Sequence, residues 1–168
     1  MATTPSDDLP LERLDPVELC AWRGLLRAHA ALTKALDAEL EAAYGLPLTS
    51  YEVLLHLADA ERERMRMSDL ADRVVLSRSG LTRLADRLER DGLIARESCP
   101  SDARGAFARL TPLGREQLDA ARRTHLDGVR RRFLAHLSAA EQQLLGAVWD
   151  RVLAAHGVSS AAERPPCG

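Results

Sequence analysis

Aromatic and β-branched residues are scarce in this sequence of 168 residues. It contains two Trp, two Tyr, two Phe and a single Ile, whereas Leu occurs 29 times. Strand formers are therefore rare and helix formers abundant, which favours a mostly α-helical fold. No apolar run approaches the roughly 18 residues that a membrane span needs, and the first residues lack the pattern of a signal peptide. We therefore expect a cytoplasmic protein without membrane contact.

Residues that build metal or catalytic sites are not found in the required spacing. The three cysteines, Cys20, Cys99 and Cys167, lie far apart, which argues against a disulfide framework and against a zinc finger. The histidines form no i,i+4 pair and no cluster with ligand spacing. No Gly-rich phosphate loop, nucleophile elbow or paired acidic motif occurs. We expect no metal, no cofactor and no enzymatic activity.

Charge is distributed unevenly along the chain. The formal net charge is −2, but residues 62–109 hold 11 Arg against 8 acidic residues. Every basic residue except Lys34 is Arg, whose planar guanidinium suits phosphates and guanine edges, although a GC-rich genome gives the same bias. A basic window in an acidic chain indicates where an anionic partner docks.

A long helix is predicted near the start of the chain. Apolar residues recur every three or four positions from Val17 to Leu40, which is the period of one helical face. Gly45 and Pro47 predict that this helix ends near Tyr44. A second apolar stripe on the same helix indicates that it is covered on two sides, by its own subunit and by a partner.

Three shorter helices are predicted in the middle of the sequence. Thr49 and Glu52 have the spacing of a capping box, which predicts a helix over about residues 50–60. Ser68 and Ser77 are each expected to be the N-cap of a further short helix. The result is two short helices joined by a three-residue turn.

A hairpin and two long helices are predicted after this pair. Residues 93–97 and 105–110 are short strand-like runs that flank a turn-rich segment. Helical patterns resume at Pro112 and, with a capping box, at Ser138. The expected divisions of the chain are a tail over 1–13, a single domain over 14–156 with long helices over 14–46 and 112–156 and a central lobe over 48–111, and a tail over 157–168.

The order of helix, short turn, helix and hairpin is that of a winged helix-turn-helix, whose second short helix enters the DNA major groove. The residues expected on the inward face of that helix are Leu81, Leu84, Ala85 and Leu88. On its outward face, Ser79, Thr82 and Arg83 are candidates for contacts with base edges. Arg78 and Arg87 are candidates for phosphate contacts that fix the register.

Further candidates for DNA contact flank this helix. The helix N-termini at Ser68 and Ser77 carry free amides that suit phosphates. Arg104, at the tip of the hairpin, is placed to reach the adjacent minor groove, whose negative potential attracts Arg. Asp102 is an unfavourable neighbour for a phosphate, so we expect it to hold Arg104 or another arginine in position.

Four motifs carry a specific resemblance to one family. They are LTSYEVLLHLADA (Leu48–Ala60), MSDLADRVVLSRSGLTRLADRLERDGLI (Met67–Ile94), the wing segment SDARGAFARLT (Ser101–Thr111) and the helix restart TPLG (Thr111–Gly114). With these motifs the sequence resembles the multiple-antibiotic-resistance regulator (MarR) family of winged-helix repressors over about residues 14–156.

The resemblance implies an obligate homodimer whose interface is built by the first helix and the last two. Each winged lobe would then read one half of a near-palindromic operator in double-stranded DNA. By position, the motif places Ser77, Arg78, Ser79, Thr82, Arg83 and Arg87 on the recognition helix, and Asp102 and Arg104 on the wing. Repression is expected, because a dimer lying across a promoter blocks polymerase without further contacts.

The resemblance also implies a small-molecule effector. Members of the family often release DNA when an aromatic or phenolic anion binds between the dimerisation helices and the winged lobe. The candidates on the first two helices are Trp22, Arg23, His29, Tyr51 and His56. Trp22 would stack on a ring and Arg23 or a protonated histidine would meet a carboxylate, while the alternative for each residue is a packed position at a helix interface.

Two other functions stay open. Organic-hydroperoxide sensors of this family place a reactive cysteine near the start of the first helix, where Cys20 lies. Their tyrosines hydrogen-bond the thiolate, but Tyr44 and Tyr51 are both distant from Cys20 in this sequence, so no activating environment is visible. A winged-helix module for protein contacts is the other alternative. Such a module does not require Arg on both the recognition face and the wing tip.

Overall fold

The computed structural model describes residues 13–74, 76–99 and 102–157, with the backbone alone at residue 99 and residues 102–105. The described chain is mostly helical and carries one small antiparallel sheet, as the composition predicts. It divides into two compact units, Met1–Arg122 and Arg123–Gly168. The elements are α1 (Pro16–Tyr44), α2 (Leu48–Ala58), a 3-10 turn (Glu61–Glu63), β1 (Arg64–Arg66), α3 (Met67–Arg73), α4 (Arg78–Arg90), β2 (Ile94–Cys99), β3 (Asp102–Leu110), α5 (Pro112–Arg132), a second 3-10 turn (Leu134–His136) and α6 (Ala139–Ala155).

Helix α1 has a well-defined start and end. The Asp15 carboxylate accepts hydrogen bonds from the backbone N–H groups of Val17 and Glu18, and Glu18 accepts one in return from the Asp15 N–H. This capping box satisfies amides that the first helical turn leaves free. The helix ends at Tyr44 because Gly45 adopts a left-handed conformation with φ of 61°, which confirms the predicted end.

The predicted capping box of α2 is wrong. The helix begins at Leu48, so Thr49 and Glu52 lie inside it, and no side chain of the N-cap residue caps it. Its free Leu48 N–H instead donates to Asp37 of α1 at 2.8 Å. A carboxylate that is distant in sequence thus accepts a hydrogen bond from the start of the helix, in place of the predicted Thr49 cap. The helix starts two residues earlier than predicted.

The core of the first unit lies between α1, the three following helices, the sheet and the start of α5. Its members are mainly leucines, consistent with the composition, and each is excluded from water. Full burial of such a side chain stabilises the fold by about 1.5–3 kcal/mol. The largest fully buried side chains are Leu40, Val53, Leu54, Leu57, Leu70, Leu81, Leu88, Ile94, Leu118 and Tyr51.

The sheet has the strand order β1-β3-β2, and both pairings are antiparallel. The predicted hairpin is confirmed, and its strands are longer than predicted at the turn. Strand β1 was not predicted: Met65 pairs with Ala108, and both side chains are buried. Because side chains alternate along a strand, the neighbours of Met65 and Ala108 lie on the opposite, solvent-facing side.

A close approach joins the sheet to α5. The Gly114 N–H donates to the Thr111 hydroxyl at 3.0 Å, and that hydroxyl lies 2.7 Å from the carbonyl oxygen of Gly92. A Cβ at Gly114 would lie 2.0 Å from the Leu93 carbonyl oxygen. Glycine is therefore required here because α5 begins in direct contact with the backbone that precedes β2.

The second unit contains the end of α5, the second 3-10 turn and α6. Ser138 and Glu141 form the predicted capping box, and these hydrogen bonds from Ser138 lower the pKa of Glu141. Among the residues of α6, all of which the structure describes, none is buried. Large apolar side chains therefore stay accessible on this helix, namely Leu144, Val152 and Leu153.

Candidate nucleic-acid interface

Helix α4 has one buried face and one polar face. Leu81, Leu84, Ala85 and Leu88 are buried, as predicted. The opposite face is exposed and carries the residues predicted for DNA contact, namely Arg78, Ser79, Thr82, Arg83 and Arg87. Small hydroxyls and guanidinium groups share this face, which is the chemistry that reads base edges and phosphates.

The start of α4 is capped as predicted. The Ser77 hydroxyl accepts a hydrogen bond from the Gly80 N–H at 3.1 Å and lies 3.2 Å from the hydroxyl of Ser79. This cap uses one of the free amides of the first turn. The remaining exposed end presents N–H groups and the positive end of the helix dipole toward solvent.

The outward side chains of α4 differ in their partners. The side chains of Arg78 and Arg83 have no hydrogen-bond or ion-pair partner within the part of the chain that the structure describes. The Thr82 hydroxyl donates to the backbone carbonyl of Arg78 at 2.9 Å, so its oxygen is left as a hydrogen-bond acceptor on this face. Arg87 donates to the buried hydroxyl of Ser50 at 3.1 Å, and thereby ties α4 to α2.

Ser68 is not an N-cap, contrary to our prediction. Helix α3 begins at Met67, with the extended residue Arg66 as its cap position and no capping side chain. Ser68 therefore lies inside the first turn, where its exposed hydroxyl donates to Asp69 at 3.0 Å. The start of α3 is set by the preceding strand rather than by a serine cap. The assignment of Ser68 to DNA contact stays a prediction that is supported only by the exposure of this residue.

The predicted wing residues lie on β3, at the turn end of the hairpin. Asp102 is the first residue of β3 and pairs with Cys99, next to a register shift in β2. Arg104 is the third residue of the same strand, so its backbone lies within β3 and not at the tip of the hairpin, contrary to the prediction. The side chains of Asp102 and Arg104 lie outside the described part of the structure, so their predicted contact stays a prediction.

An arginine-rich sheet surface was missed by sequence reasoning. Arg64 and Arg66 of β1 both lie over the ring of Phe107, with guanidinium carbons 5.1 and 5.2 Å from the ring centroid. Glu97 forms ion pairs with Arg109 at 2.7 Å and with Arg64 at 3.8 Å. Three arginines and one carboxylate thus lie on this surface. The only sequence signal was the alternation Arg-Met-Arg, which is too short to indicate a strand.

Arg96 of β2 connects the sheet to α4. Its guanidinium lies 2.7 Å from the carboxylate of Asp86 and 2.6 Å from that of Glu89. Hydrogen bonds from Arg96 hold the pKa of Glu89 below its usual value. The wing and the polar helix are thus positioned against each other by charged hydrogen bonds.

The predicted effector residues lie on two helices and differ in burial. Trp22 and Arg23 are exposed in the N-terminal half of α1, whereas Tyr51 is only 2% exposed and lies in the core. Burial raises the pKa of the Tyr51 phenol. His29 is close enough to Glu52 to offset part of the increase that burial causes in the pKa of this carboxyl. His56, on α2, is half-buried.

Cys20 lies exposed on α1. Tyr44 is 24 residues further along the same helix, a distance of about 36 Å at 1.5 Å per residue, so within one chain it does not reach the thiol. Among the described residues, no group of three His, Cys, Asp or Glu side chains is arranged to hold a metal ion. No helix in the described ranges combines the length and the hydropathy of a membrane span.

A helix-turn-helix that is followed by a β-hairpin, and whose second helix carries an arginine-rich polar face, defines a winged helix-turn-helix protein. Comparisons with known proteins agree. Residues 44–105 match the model of the MarR family. The MarR family transcriptional regulator Sco3205 of Streptomyces coelicolor, solved in complex with DNA, is similar with a TM-score of 0.80 and 36% identity, over 89% of this chain and 96% of that one.

Two further relatives give the same result. AbsC, a MarR family transcriptional regulator from Streptomyces coelicolor, has a TM-score of 0.75 and 38% identity over 84% of this chain and 93% of its own. The HTH-type transcriptional regulator YdgJ of Bacillus subtilis is 30% identical over 114 residues, 68% of each chain. This chain therefore belongs to the MarR family of DNA-binding transcriptional regulators, which are not enzymes.

Proposed function

We propose that this protein is a homodimeric, sequence-specific repressor that reads a near-palindromic operator with α4 and is released by a small molecule. The observation that carries the proposal is the exposed face of α4. There Arg78 and Arg83 stand without partners among the described residues, beside a capped helix N-terminus. Sco3205, 36% identical, was solved in complex with DNA, which supports the same use of this lobe.

The residues of α4 are assigned different roles. Arg83 and Ser79 contact base edges, and Thr82 accepts a hydrogen bond from a base, since its own proton is engaged by the backbone. Arg78 contacts a phosphate. Arg87 is partly held by Ser50, so its phosphate contact depends on the donors of its guanidinium that this hydrogen bond leaves free.

The wing and the helix ends complete the proposed interface. Arg104 enters the minor groove, and Asp102 orients it or a neighbouring arginine. The exposed start of α4 at Ser77 faces a phosphate, and so does the exposed hydroxyl of Ser68 in the first turn of α3. Arg96 does not touch DNA in this arrangement but keeps the wing in place relative to α4 through Glu89.

The dimer is proposed from apolar surface on each unit. In the first unit, Val17 and Leu26 of α1 are 78% and 49% exposed. In the second unit, Leu144 of α6 is 63% exposed. Such side chains at helix spacing are typical of a surface that a second copy covers. A dimer also gives the two recognition helices that a palindromic site requires.

The proposed effector site uses exposed residues of α1 and the adjacent part of α2. Trp22 provides a face for an aromatic ring, and Arg23 or the His29 imidazolium meets a carboxylate. His56 lies on α2 within the same unit, and Tyr51 supports this part of the core from inside. Binding there would release DNA if the effector prefers a dimer whose two lobes are spaced wrongly for the operator.

Titration into DNA tests the proposal. The purified protein is added to a labelled duplex from upstream of its own gene and to a shuffled duplex of equal composition, at near-physiological and at higher salt. We expect tight binding of the native duplex, saturation at one dimer per site and a steep loss of affinity with salt. Equal, weak binding to both duplexes would contradict sequence-specific regulation and favour a protein partner for the winged lobe.

The mass of the free protein is measured in parallel by light scattering. A dimer that persists at low micromolar concentration is expected, since the exposed apolar side chains need a partner. A monomer at these concentrations would overturn the dimeric part of the proposal, whatever the DNA titration shows.

A further inference from the structure

The first unit contains a cavity of about 420 Å³. The C-terminal ends of α1 and α4 border it together with the N-terminal ends of α2 and α5, and none of the effector residues proposed above lines it. Its volume is within the range of small-molecule sites, about 300–1,000 Å³. The cavity is therefore a second place where a ligand would be recognised.

The cavity combines charges of both signs with an apolar surface. Arg87 of α4 lines it, and so do the carboxylates of Glu41 and Asp91. Leu93, which is half-buried, and Leu113, which is half-exposed, provide apolar surface. The ends of α1 and α4 add partial negative charge beside the two carboxylates, and the starts of α2 and α5 add partial positive charge. A ligand with a single charge would therefore face a repulsive group, whereas a ligand with both charges would not.

Arg87 is the cationic side chain of this site. It is an exposed residue, and its guanidinium donates to Ser50, which is 1% exposed and also lines the cavity. A carboxylate offers Arg87 a charged, two-oxygen partner in place of one neutral hydroxyl, and such hydrogen bonds are roughly twice as strong. Gln117 is less free, because its amide donates to the Tyr44 carbonyl at 3.1 Å.

We propose that this cavity binds a small amphipathic zwitterion of the amino-acid type. The ammonium group lies between Glu41 and Asp91, the carboxylate accepts hydrogen bonds from Arg87, and an apolar side chain covers Leu93 and Leu113. Binding draws Arg87 away from Ser50 and so loosens the link between α4 and α2. This last step rests on the proposed function, since α4 is there the DNA-reading helix.

A matched set of probes tests the charge requirement. L-phenylalanine, phenethylamine and 3-phenylpropionate have a similar apolar body but are zwitterionic, cationic and anionic. Each is added at millimolar concentration to the full chain, and the melting temperature is recorded. At about ten times its Kd, L-phenylalanine is expected to raise the melting temperature by roughly 3–5 °C. The two singly charged probes are expected to raise it by much less. Equal shifts from all three probes, or no shift from the zwitterion, would overturn the proposal.

Two carboxamide variants locate the site. Glu41→Gln removes one cavity carboxylate from α1 and is expected to weaken zwitterion binding about tenfold, whereas Glu116→Gln makes the same change at an exposed residue of α5 outside the cavity and leaves binding unchanged. Leu113→Trp, at a half-exposed position, fills the cavity from the surface and abolishes binding. Unchanged binding in both Glu41→Gln and Leu113→Trp places the ligand elsewhere and rejects the site.

The DNA titration separates this proposal from the proposed function. With an operator duplex, saturating L-phenylalanine is expected to change the affinity of the wild-type protein at least threefold, and that of Glu41→Gln less. If the zwitterion raises the melting temperature as expected but the protein binds no DNA, the cavity proposal stands and the proposed function fails. If DNA binds and no zwitterion raises melting, the proposed function stands and the cavity proposal fails.

Discussion

Arg96 on β2 and Glu89 on α4 are joined through both the backbone and the side chain of the arginine. The Arg96 N–H donates to one carboxylate oxygen of Glu89 at 3.1 Å, and its Nε donates to the other at 2.8 Å. Asp86 accepts from the same guanidinium. The wing is therefore held at a fixed position beside the helix that carries the proposed base contacts.

Arg96→Lys tests this positioning role. A lysine keeps the charge but loses the planar fork that bonds two carboxylates. The stability change is expected to be small, because the ion pairs are exposed to solvent, while operator affinity falls several-fold. Arg123→Lys, at a 92% exposed side chain, is the control and leaves both unchanged. Equal losses of stability and affinity in Arg96→Lys, measured by urea unfolding and DNA titration, would contradict a positioning role.

Arg83→Ala and Arg104→Ala separate base reading from phosphate and groove contacts. Arg83→Ala is expected to lose about 1–3 kcal/mol of discrimination between the operator and a variant with one changed base pair. Arg104→Ala is expected to weaken binding to all duplexes more evenly and to reduce the salt slope by about one. Titrations of both duplexes at two salt concentrations check this. Wild-type binding by both variants would disprove the docking arrangement.

Two substitutions at Ser77 separate its role as the N-cap of α4 from its proposed contact with phosphate. Ser77→Ala removes the hydrogen bond to the Gly80 N–H and is expected to cost about 1 kcal/mol of unfolding free energy. Ser77→Asp keeps the cap and suits the helix dipole, so stability is retained. The added charge repels phosphate, so DNA affinity falls. Full DNA affinity in Ser77→Asp would show that DNA does not approach this helix end.

Gly114→Ala is expected to destabilise the fold severely. The added Cβ would lie 2.0 Å from the Leu93 carbonyl oxygen, and neither backbone can shift without moving α5 or β2. A loss of about 2–3 kcal/mol or more is expected in urea unfolding. Gly24→Ala is the matched control, because nothing in the same chain lies within 4 Å of its added Cβ, and alanine favours the helix by up to about 1 kcal/mol.

Glu52 gives the protein a predictable pH dependence. Burial raises the pKa of its carboxyl, and His29 offsets part of that increase. The folded state thus binds the proton more tightly than the unfolded chain. The stabilising contribution of protonated Glu52 is complete below the pKa of the unfolded chain, about 4.3. This contribution is lost as the pH rises through the raised pKa of the folded state. Glu52→Gln is expected to remove this loss. The free energy of unfolding is measured with urea between pH 4 and pH 7 for the wild-type protein and for Glu52→Gln. The same pH dependence in both proteins would contradict the expectation.

Local patterns were sufficient where an element is specified by its own residues. Helix α4 follows from its apolar spacing and the Ser77 cap, and α1 ends where Gly45 reverses the backbone. The capping box of α6 is likewise formed by two residues three positions apart. In each case the atoms that decide the structure are neighbours in sequence, so the pattern contains the answer.

Prediction failed where a distant residue provides the partner. Asp37, eleven positions before Leu48, accepts its N–H and moves the start of α2. Strand β1 exists because Met65 pairs with Ala108, 43 positions later, and this strand in turn sets the start of α3 ahead of Ser68. No local propensity encodes such pairings, because tertiary contacts override weak local preferences.

The sequence by itself determined the winged helix-turn-helix class, the polar face of α4 and the family, since these depend on periodicity and on motifs that are continuous in the chain. Only the tertiary structure decided which partners the arginines of this lobe contact. Arg87 is drawn to Ser50 and Arg96 to Glu89, while Arg64 and Arg66 share the ring of Phe107. A side chain's partners depend on which elements fold against it, and that proximity arises only from packing of the whole chain.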